Sequence, residues 1–544
     1  MTISIPDLYG AAALQFAGRT AAYRMRLLVA LAGVLVLAGC VKVGPDFNLP
    51  EAQVRQQWIE AGALEGQTAP VDYRMWWKVF RDPVLDMLVQ TAYKQNIPLR
   101  VAGARVFEAR ARLGMAIGDQ YPQVQQVGGS AESIRESERA PSAPQRAVSS
   151  GDYQYYQVQA AMAAVWEIDF WGKFRSAVAS DNALFLGSIA AYDNALVSLT
   201  ADVARTYVTI RTIEENLRIT QKNVELQKES LRIARARFDA GAGNGLDVDQ
   251  AITLLRTTES DVPLIEAFLQ QAQNALCILL GMPPGNLDRL MDKVNAIPQA
   301  PLEVAAGIPA DLLRRRPDIR QAELQAAAQC ARIGVAKSDL YPAFSLNGAF
   351  GFLSSDVGSF SLSDVTNWSS RYYSVGPSFT WNIFNYGQVT NNVRVQDARF
   401  QELIFRYQNT VLRAQQEVED ALTAFLQAQK SLTRRAQAVA AAQKTADLAM
   451  IQYQSGATNY TTVISAQQLL LVNQTNLAVA QGDLPQALIA LYRALGGGWE
   501  LREGNPYLPT AVTSAMDERT NWGDLLEPAA VQPLDNRQLL TPDW

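Results

Sequence analysis

The chain carries an internal duplication. The segment WEIDFWG at Trp166–Gly172 recurs as WNIFNYG at Trp381–Gly387, a shift from position 166 to position 381, which is 215 residues. The same shift aligns two more pairs of segments, Phe238–Ala242 with Tyr453–Ala457 and Leu280–Gly281 with Leu495–Gly496. Such self-similarity predicts a fold built from two equivalent halves, because each repeat specifies the same structural unit.

Each half contains a long stretch with an apolar residue at every seventh position. The pattern runs from Ile189 to Phe238 in the first half and from Ile404 to Tyr453 in the second. A heptad repeat is typical of coiled-coil helices. No proline interrupts either stretch, so a continuous helix of about fifty residues would be about 75 Å long. The pattern alone would also fit a rod-shaped coiled coil with a purely structural role.

Each heptad stretch ends at a glycine, Gly241 or Gly456, which begins a short polar loop. Further helical stretches follow from Asp247 to Leu280 and from Thr462 to Leu495. Glycine is favoured at this position because it adopts the left-handed conformation that ends many helices. Each half is therefore predicted to contain a long helical hairpin.

Four segments alternate apolar and polar residues with the period of two that is typical of β-strands. One of them places these residues on a single apolar face: Tyr373, Val375, Phe379, Trp381 and Ile383. The others cover Tyr156–Ile168 and Phe344–Phe352, and a weaker one starts near Val124. The alternation and the aromatic residues near the ends suit a transmembrane barrel, although a soluble, half-buried sheet would also alternate.

Four strands are too few to close a membrane barrel, and open sheet edges are not tolerated in lipid. The barrel would therefore have to be shared between copies of the chain. Two copies would supply eight strands, whereas three would supply twelve and leave room for a pore.

The N-terminal region has the features of an export signal. Arg24 and Arg26 precede an apolar run at Leu27–Ala38, which is shorter than a membrane-spanning helix. The run ends in Leu37–Cys40, LAGC, which resembles the lipobox of bacterial lipoproteins. Cys40 is then expected to carry an S-diacylglycerol and an N-acyl group, and Val41 after it favours the outer membrane. An ordinary signal peptide with a chance cysteine is the alternative.

Composition argues against catalysis and against nucleic-acid binding. Histidine is absent, which removes the commonest general base and metal ligand. The 48 Lys+Arg and 53 Asp+Glu residues give a net charge of -5, without the basic excess that nucleic-acid binding usually requires. Cys277 and Cys330 lie in helical stretches and are expected to be small buried residues with no disulfide. We expect no enzyme activity, no metal site and no cofactor except the lipid on Cys40.

Two charged motifs need separate interpretation. The run Arg314–Asp318, RRRPD, could bind an anion, but arginines before a proline that opens a helix favour a structural or interchain role. Paired acidic residues occur at Glu167 and Asp169 and within Glu417–Asp420. Without histidine or a motif for an enclosed pocket, these acids are expected to be solvated or to line a pore.

A series of motifs in one order resembles the TolC-like outer-membrane factors, specifically their NodT-family lipoprotein branch. The motifs are Leu37–Cys40, Val43–Phe47, Trp166–Gly172, Leu312–Glu323, Ile333–Lys337 and Ala494–Trp499. The resemblance implies a homotrimer whose twelve-stranded outer-membrane β-barrel continues as a long α-helical barrel through the periplasm. It also implies outer-membrane lipid as the surroundings, and a periplasmic adaptor and an inner-membrane pump as partners.

The expected organisation divides the chain into five parts. They are a signal peptide (1–39), a lipidated N-terminal and equatorial segment (40–97), a first repeat (98–310), a second repeat (311–499) and a C-terminal tail (500–544). Each repeat is expected to hold two strands and one helical hairpin. The expected function is a passive, gated exit channel of a tripartite efflux pump, which the family resemblance implies to be a pump of the RND type. The alternatives are a type I-like secretion channel and a periplasmic coiled-coil scaffold.

The hairpin turns and the residues after them are the candidate functional residues. We expect the tip residues Gly241, Ala242, Gly243, Gly456 and Ala457 to contact the adaptor, unless the glycines serve only the turns.

The gate candidates lie immediately after the turns. In a trimer, Asp247 and Asp249 would form rings of like charge that disfavour tight closure and attract cations. The resemblance places the family's gate acids at Thr462 and Ser465, where this chain has none. As an alternative, Asp247 would simply cap the start of its helix.

Overall fold

The structure of the protein is a computed structural model. It describes residues 42–55, 57–59, 73–137, 139, 154–291, 296–301, 315–357, 360–527 and 531–533. The predicted signal peptide, Cys40 and Arg314 lie outside these residues.

Four antiparallel strands form one sheet in the order β1-β2-β3-β4. The strands are β1 (Val124–Arg135), β2 (Gln154–Ile168), β3 (Ala343–Ser355) and β4 (Arg371–Thr380). The alternation of the sequence thus predicted all four strands, and a coiled-coil scaffold without a sheet is excluded. The prediction was wrong at the end of β4, where Trp381 and Ile383 lie beyond the strand. The chain turns there toward Tyr386 and Gly387, which both have positive φ angles of 49° and 84°.

The apolar side chains of the sheet are not covered within the chain. Val127 is 82% exposed and Val375 is 75% exposed, and the aromatic residues Tyr373 and Phe379 are also exposed. In the described residues, β1 pairs only with β2 and β4 pairs only with β3. The sheet therefore presents both an apolar surface and two free edges, which is unstable for a lone copy in water.

Nine α-helices are present in the described residues. In chain order they are α1 (Pro83–Gln95), α2 (Ile97–Gly118), α3 (Lys173–Asp239), α4 (Gly245–Leu279), α5 (Asp288–Met291), α6 (Pro317–Ser338), α7 (Gln388–Gln454), α8 (Tyr460–Ala494) and α9 (Thr510–Arg519). The hairpins predicted from the sequence are α3 with α4 and α7 with α8. Short 3-10 helices cover Tyr73–Phe80, Leu362–Thr366, Trp368–Ser370, Trp499–Arg502 and Gly523–Leu526.

The long helices α3 and α7 each contain 67 residues, and the return helices α4 and α8 each contain 35. Each second-half helix begins 215 residues after its first-half counterpart, at 388 against 173 and at 460 against 245. The long helices exceed the predicted length and reach about 100 Å at about 1.5 Å per residue. Both begin directly after a left-handed glycine, Gly172 or Gly387, that turns the chain out of the preceding strand or loop.

The main apolar core lies around the first half and the middle of α3. Leu196, Val203 and Ile210 of the predicted heptad pattern are fully buried there, together with Trp76 and Trp77. Helices α1, α2 and α8 contribute buried apolar residues to this core. A second cluster of apolar residues lies near the hairpin turns, so the packing continues along the length of the helices.

The two internal cysteines are free and buried, as predicted. The arginine run also has the structural role that the sequence favoured. Arg316 precedes the first residue of α6 and donates to the Ala494 carbonyl (2.7 Å), to Asp318 (2.7 Å) and to Glu417 (2.7 Å). Arg316 thus joins the start of α6 to the end of α8 and to the side of α7.

Candidate functional site at the hairpin tips

Both hairpin turns depend on a left-handed glycine. Gly241 has a φ of 72° and Gly456 has a φ of 78°. After these glycines, Ala242 N donates to the Arg237 carbonyl (2.8 Å) and Ala457 N donates to the Gln452 carbonyl (2.8 Å), which satisfies the last carbonyls of each long helix. A residue with a Cβ atom would be strained at both glycines.

The tip residues leave an accessible surface. Gly241, Ala242, Gly456 and Ala457 are exposed, whereas Gly243 is only partly exposed. A Cβ atom on Gly243 would lie 3.2 Å from Phe238 N, so this glycine allows the close return of the chain. The predicted adaptor-contact residues therefore lie together at one end of the helices, and the glycines also shape the turns.

Asparagines cap the return helices. The Asn244 side chain accepts from Asp247 N (2.9 Å), and the Asn459 side chain accepts from Thr462 N (3.2 Å). The alternative that Asp247 is the cap is therefore wrong, because α4 begins at Gly245, two residues earlier than predicted. Asp247 instead occupies the first turn, where the helix dipole favours a negative charge.

Asp247 links the two hairpins. Tyr453, in the last turn of α7, donates its hydroxyl to the Asp247 carboxylate (3.1 Å). This hydrogen bond joins residues that are 206 positions apart in the sequence. Its effect is to hold the end of the second long helix against the start of the first return helix.

Arg237 forms a second link between the hairpins. Its guanidinium donates to the Tyr453 and Gln454 carbonyls, the latter at 2.8 Å, and to the Ala242 carbonyl at 2.9 Å. It also lies 4.7 Å from the centre of the Tyr453 ring, which is a cation–π geometry. One arginine of the first hairpin therefore caps the carbonyl end of α7 and orders its own turn.

Two tyrosines form the apolar base of these contacts. The Tyr453 and Tyr460 rings are buried, with centroids 5.0 Å apart, and the Tyr460 hydroxyl lies 2.7 Å from Ser230 Oγ. Burial, and then the hydrogen bond to Asp247, raise the pKa of Tyr453 to about 12. The phenol is therefore neutral and able to donate at any physiological pH.

The remaining gate candidates do not join this network. Asp249, Thr462 and Ser465 are exposed, and the Thr462 hydroxyl donates to Asn459 within its own hairpin (3.0 Å). The sequence interpretation missed Arg237 and the hydroxyl of Tyr453. In the sequence Tyr453 fits only the pattern of an apolar heptad position, and no local pattern indicates that its hydroxyl reaches the other hairpin.

The first described residues are fixed where the strands end. Val43 N donates to the Trp171 carbonyl (3.2 Å), between the end of β2 and the start of α3. Gly44 crosses Gly334 so closely that a Cβ atom on Gly44 would lie 2.5 Å from the Gly334 Cα atom. The segment just after Cys40 is thus held at the boundary between the sheet and the helices.

Comparison with known proteins identifies a matching family and several relatives of this chain. Residues 88–282 and 308–497 match the family described as outer membrane efflux protein. The chain is 32% identical over 446 residues to the pyoverdine export outer membrane protein OpmQ of Pseudomonas putida, covering 81% of this chain and 92% of OpmQ. It is 28% identical over 469 residues to nodulation protein T of Rhizobium leguminosarum bv. trifolii, covering 86% and 96%.

Solved structures agree with the sequence relatives. The outer-membrane channel OprN is 30% identical, with a TM-score of 0.76, over 84% of this chain and 100% of OprN. CusC, whose structures concern transmembrane channel formation, is 26% identical, with a TM-score of 0.72, over 84% of this chain and 100% of CusC.

Proposed function

Because the chain belongs to the outer membrane efflux protein family and is an outer-membrane component of an efflux pump, we propose that it is the pump's passive, non-enzymatic exit channel. The observation that carries this proposal is the junction of a small, externally apolar sheet with helices of about 100 Å. A sheet of this kind suits lipid, and helices of this length suit a duct that extends far below the membrane.

The proposed assembly is a homotrimer. Free edges at β1 and β4 would leave backbone groups unpaired in lipid, so the sheet requires other copies on both sides. Three copies would close a twelve-stranded barrel, with β4 of one copy beside β1 of the next. The matching lengths of α3 with α7 and of α4 with α8 support an internal twofold repeat, which would give each trimer a ring of six hairpins.

The proposed anchor is a lipid on Cys40, with an S-diacylglycerol and an N-acyl group. The contact between Val43 and Trp171 supports this assignment, because it fixes the chain three residues after Cys40 beside the end of a strand. Acyl chains on Cys40 would then reach the membrane surface without a long linker. Several acyl chains give stable anchoring, whereas a single chain gives only marginal binding.

The proposed gate lies at the hairpin tips. The Tyr453–Asp247 hydrogen bond and the Arg237 contacts hold the two hairpins of one chain together. Separation of the tips would require these bonds to break, so they favour the closed arrangement. We place the adaptor at the exposed turn residues, where it could change the balance between the two arrangements. The inner-membrane pump would supply the energy and select the substrate.

Electron microscopy of the detergent-extracted protein tests the proposal together with an efflux assay. We expect threefold particles with a helical section about 100 Å long. We also expect that deletion of the gene raises sensitivity to compounds that the cognate pump exports. Monomeric particles would contradict the proposed assembly. Unchanged sensitivity of the deletion strain to every compound of a broad panel would contradict the proposed role in efflux.

A further inference from the structure

A stripe of buried polar residues runs along α3 toward the hairpin tips. Its members are spaced three and four residues apart and therefore share one face of the helix: Thr220, Asn223, Gln227 and Ser230. None of the four is more than 4% exposed. Buried polar groups are normally hydrogen-bonded, because an unpaired group loses its hydration without compensation. The stripe therefore requires partners on the helix that faces it.

The facing helix is α8, which belongs to the other hairpin. Asn223 donates to Gln474 of α8 (2.8 Å), and Ser230 Oγ lies 2.7 Å from the Tyr460 hydroxyl of α8. These two hydrogen bonds fix two levels of the contact between α3 and α8. One level between them remains, and we call it the central level.

The central level holds two glutamines. Gln227 lies between the two bonded positions of α3, and Gln467 lies between the two bonded positions of α8. Gln227 is 1% exposed and Gln467 is 2% exposed. Among the described residues, neither polar atom of the Gln227 amide has a hydrogen-bond partner, and Oε1 of Gln467 has none. Two complementary amides thus lie in one buried level without a bond between them.

The internal repeat shows that the fold does not require polar side chains at these places. At the shift of 215 residues, the equivalent of Gln227 is Ala442 of α7, which is also buried. The equivalent of Gln467 is Ile252 of α4, which is partly buried and apolar. An apolar residue avoids the cost of an unpaired buried amide. Packing alone therefore does not account for the two glutamines.

Resting on the gate proposed above, we infer that Gln227 and Gln467 bond to each other when the hairpin tips separate. In the arrangement described here, the two outer levels are bonded and the central level is not. A displacement of α8 along α3 would break the outer bonds, and the central bond would form in exchange. A small displacement is sufficient, because the glutamine side chain has several rotatable bonds.

This exchange changes the free energy of both arrangements in the direction that favours opening. The unpaired amides raise the free energy of the closed arrangement, and a bond between the two glutamines removes that cost in the open arrangement. Gln227 and Gln467 are therefore positioning residues, which bring the two arrangements close in free energy. A partner that contacts the exposed turns then needs only a modest difference in affinity to shift the balance.

Methionine substitutions test the exchange, because methionine has a similar size and no strongly polar atom. Gln227→Met and Gln467→Met are each expected to lower the open probability in planar-bilayer recordings roughly tenfold, the change that about 1.4 kcal/mol produces. The double variant should equal the single variants, since either substitution already removes the central bond. The matched control is Gln221→Met, at an exposed position of α3, and should leave the open probability unchanged.

A substitution in an outer level is expected to have the opposite sign. Asn223→Ala removes a bond that exists only in the closed arrangement, so it should raise the open probability several-fold. If Asn223→Ala and Gln227→Met change the open probability in the same direction, the two levels do not exchange bonds.

Thermal unfolding of the purified trimer separates the inferred role from a purely structural one. Gln227→Met should not lower the melting temperature, because it removes an unpaired amide. A lower melting temperature would show that this amide already has a partner in the closed arrangement, and would overturn the inference. Unchanged open probability in both single variants, or a further decrease in the double variant, would overturn it as well. Absence of conductance from the unsubstituted protein would instead contradict the proposed channel itself.

Discussion

Arg237→Ala is expected to weaken the contact between the two hairpin tips. The substitution removes hydrogen bonds to three carbonyls and the stacking of the guanidinium on Tyr453. Only the bonds to the Tyr453 and Gln454 carbonyls and the cation–π contact join the two hairpins; at about 1 kcal/mol net for each hydrogen bond and about 0.5 kcal/mol for a partly exposed cation–π contact, the loss between the tips is about 2.5 kcal/mol. Since about 1.4 kcal/mol corresponds to a tenfold change, the balance should shift toward separated tips by roughly sixtyfold.

Single-channel recordings in planar bilayers measure this shift as open probability. The matched control is Arg235→Ala. It also replaces an arginine near the end of α3 by alanine, but Arg235 is exposed. We expect the Arg237→Ala channel to spend far more time open than the unsubstituted channel. The Arg235→Ala channel should have the same open probability as the unsubstituted channel. Equal open probabilities for the two variants would refute the assignment of Arg237 as the link between the hairpins.

The pH dependence of the Tyr453–Asp247 bond can be checked in the same recordings. The pKa of Tyr453 is raised to about 12, above its ordinary value of 10.0. A group with a raised pKa in the folded protein contributes stability below its ordinary pKa and loses it as the pH rises through the raised value. Ionisation of Tyr453 should therefore not open the channel between about pH 7 and pH 9.

Three further predictions concern the anchor, the turns and the selectivity. Cys40→Ser should abolish incorporation of labelled palmitate, and continued labelling would show that the lipid is attached elsewhere. Bulky replacements at Gly241 and Gly456 should impair efflux while the trimer yield on native gels stays normal, because the strain is confined to the turns. Unimpaired efflux in both variants would exclude the turns as the adaptor contact. Asp247→Asn and Asp249→Asn should each reduce cation preference and divalent-cation block in bilayer recordings, and unchanged values in both would place the gate elsewhere.

The helices and turns were predictable because their signals are local. Heptad spacing indicated the long helices, and Gly241 and Gly456 indicated their ends, where the structure has positive φ angles. The contacts of the tips were not predictable in this way. The Tyr453–Asp247 bond joins residues 206 positions apart, and its partners become neighbours only after the two hairpins have packed. A tyrosine at an apolar heptad position satisfies the pattern whether or not its hydroxyl has a partner.

The extra length of α3 has a similar physical cause. The heptad pattern begins at Ile189, but the helix begins at Lys173. Ser176, Ser180 and Ala183 are buried in this first part, where α3 packs on α6. Small residues allow two helices to approach closely without the large apolar side chains that a heptad search detects. The helix therefore extends past its coiled-coil section to Gly172, so that one continuous helix connects the hairpin tip to the end of β2. Because the packing on α6 holds the end of α3 near the sheet, the proposed gate would have to open by bending or sliding of the helices near their tips.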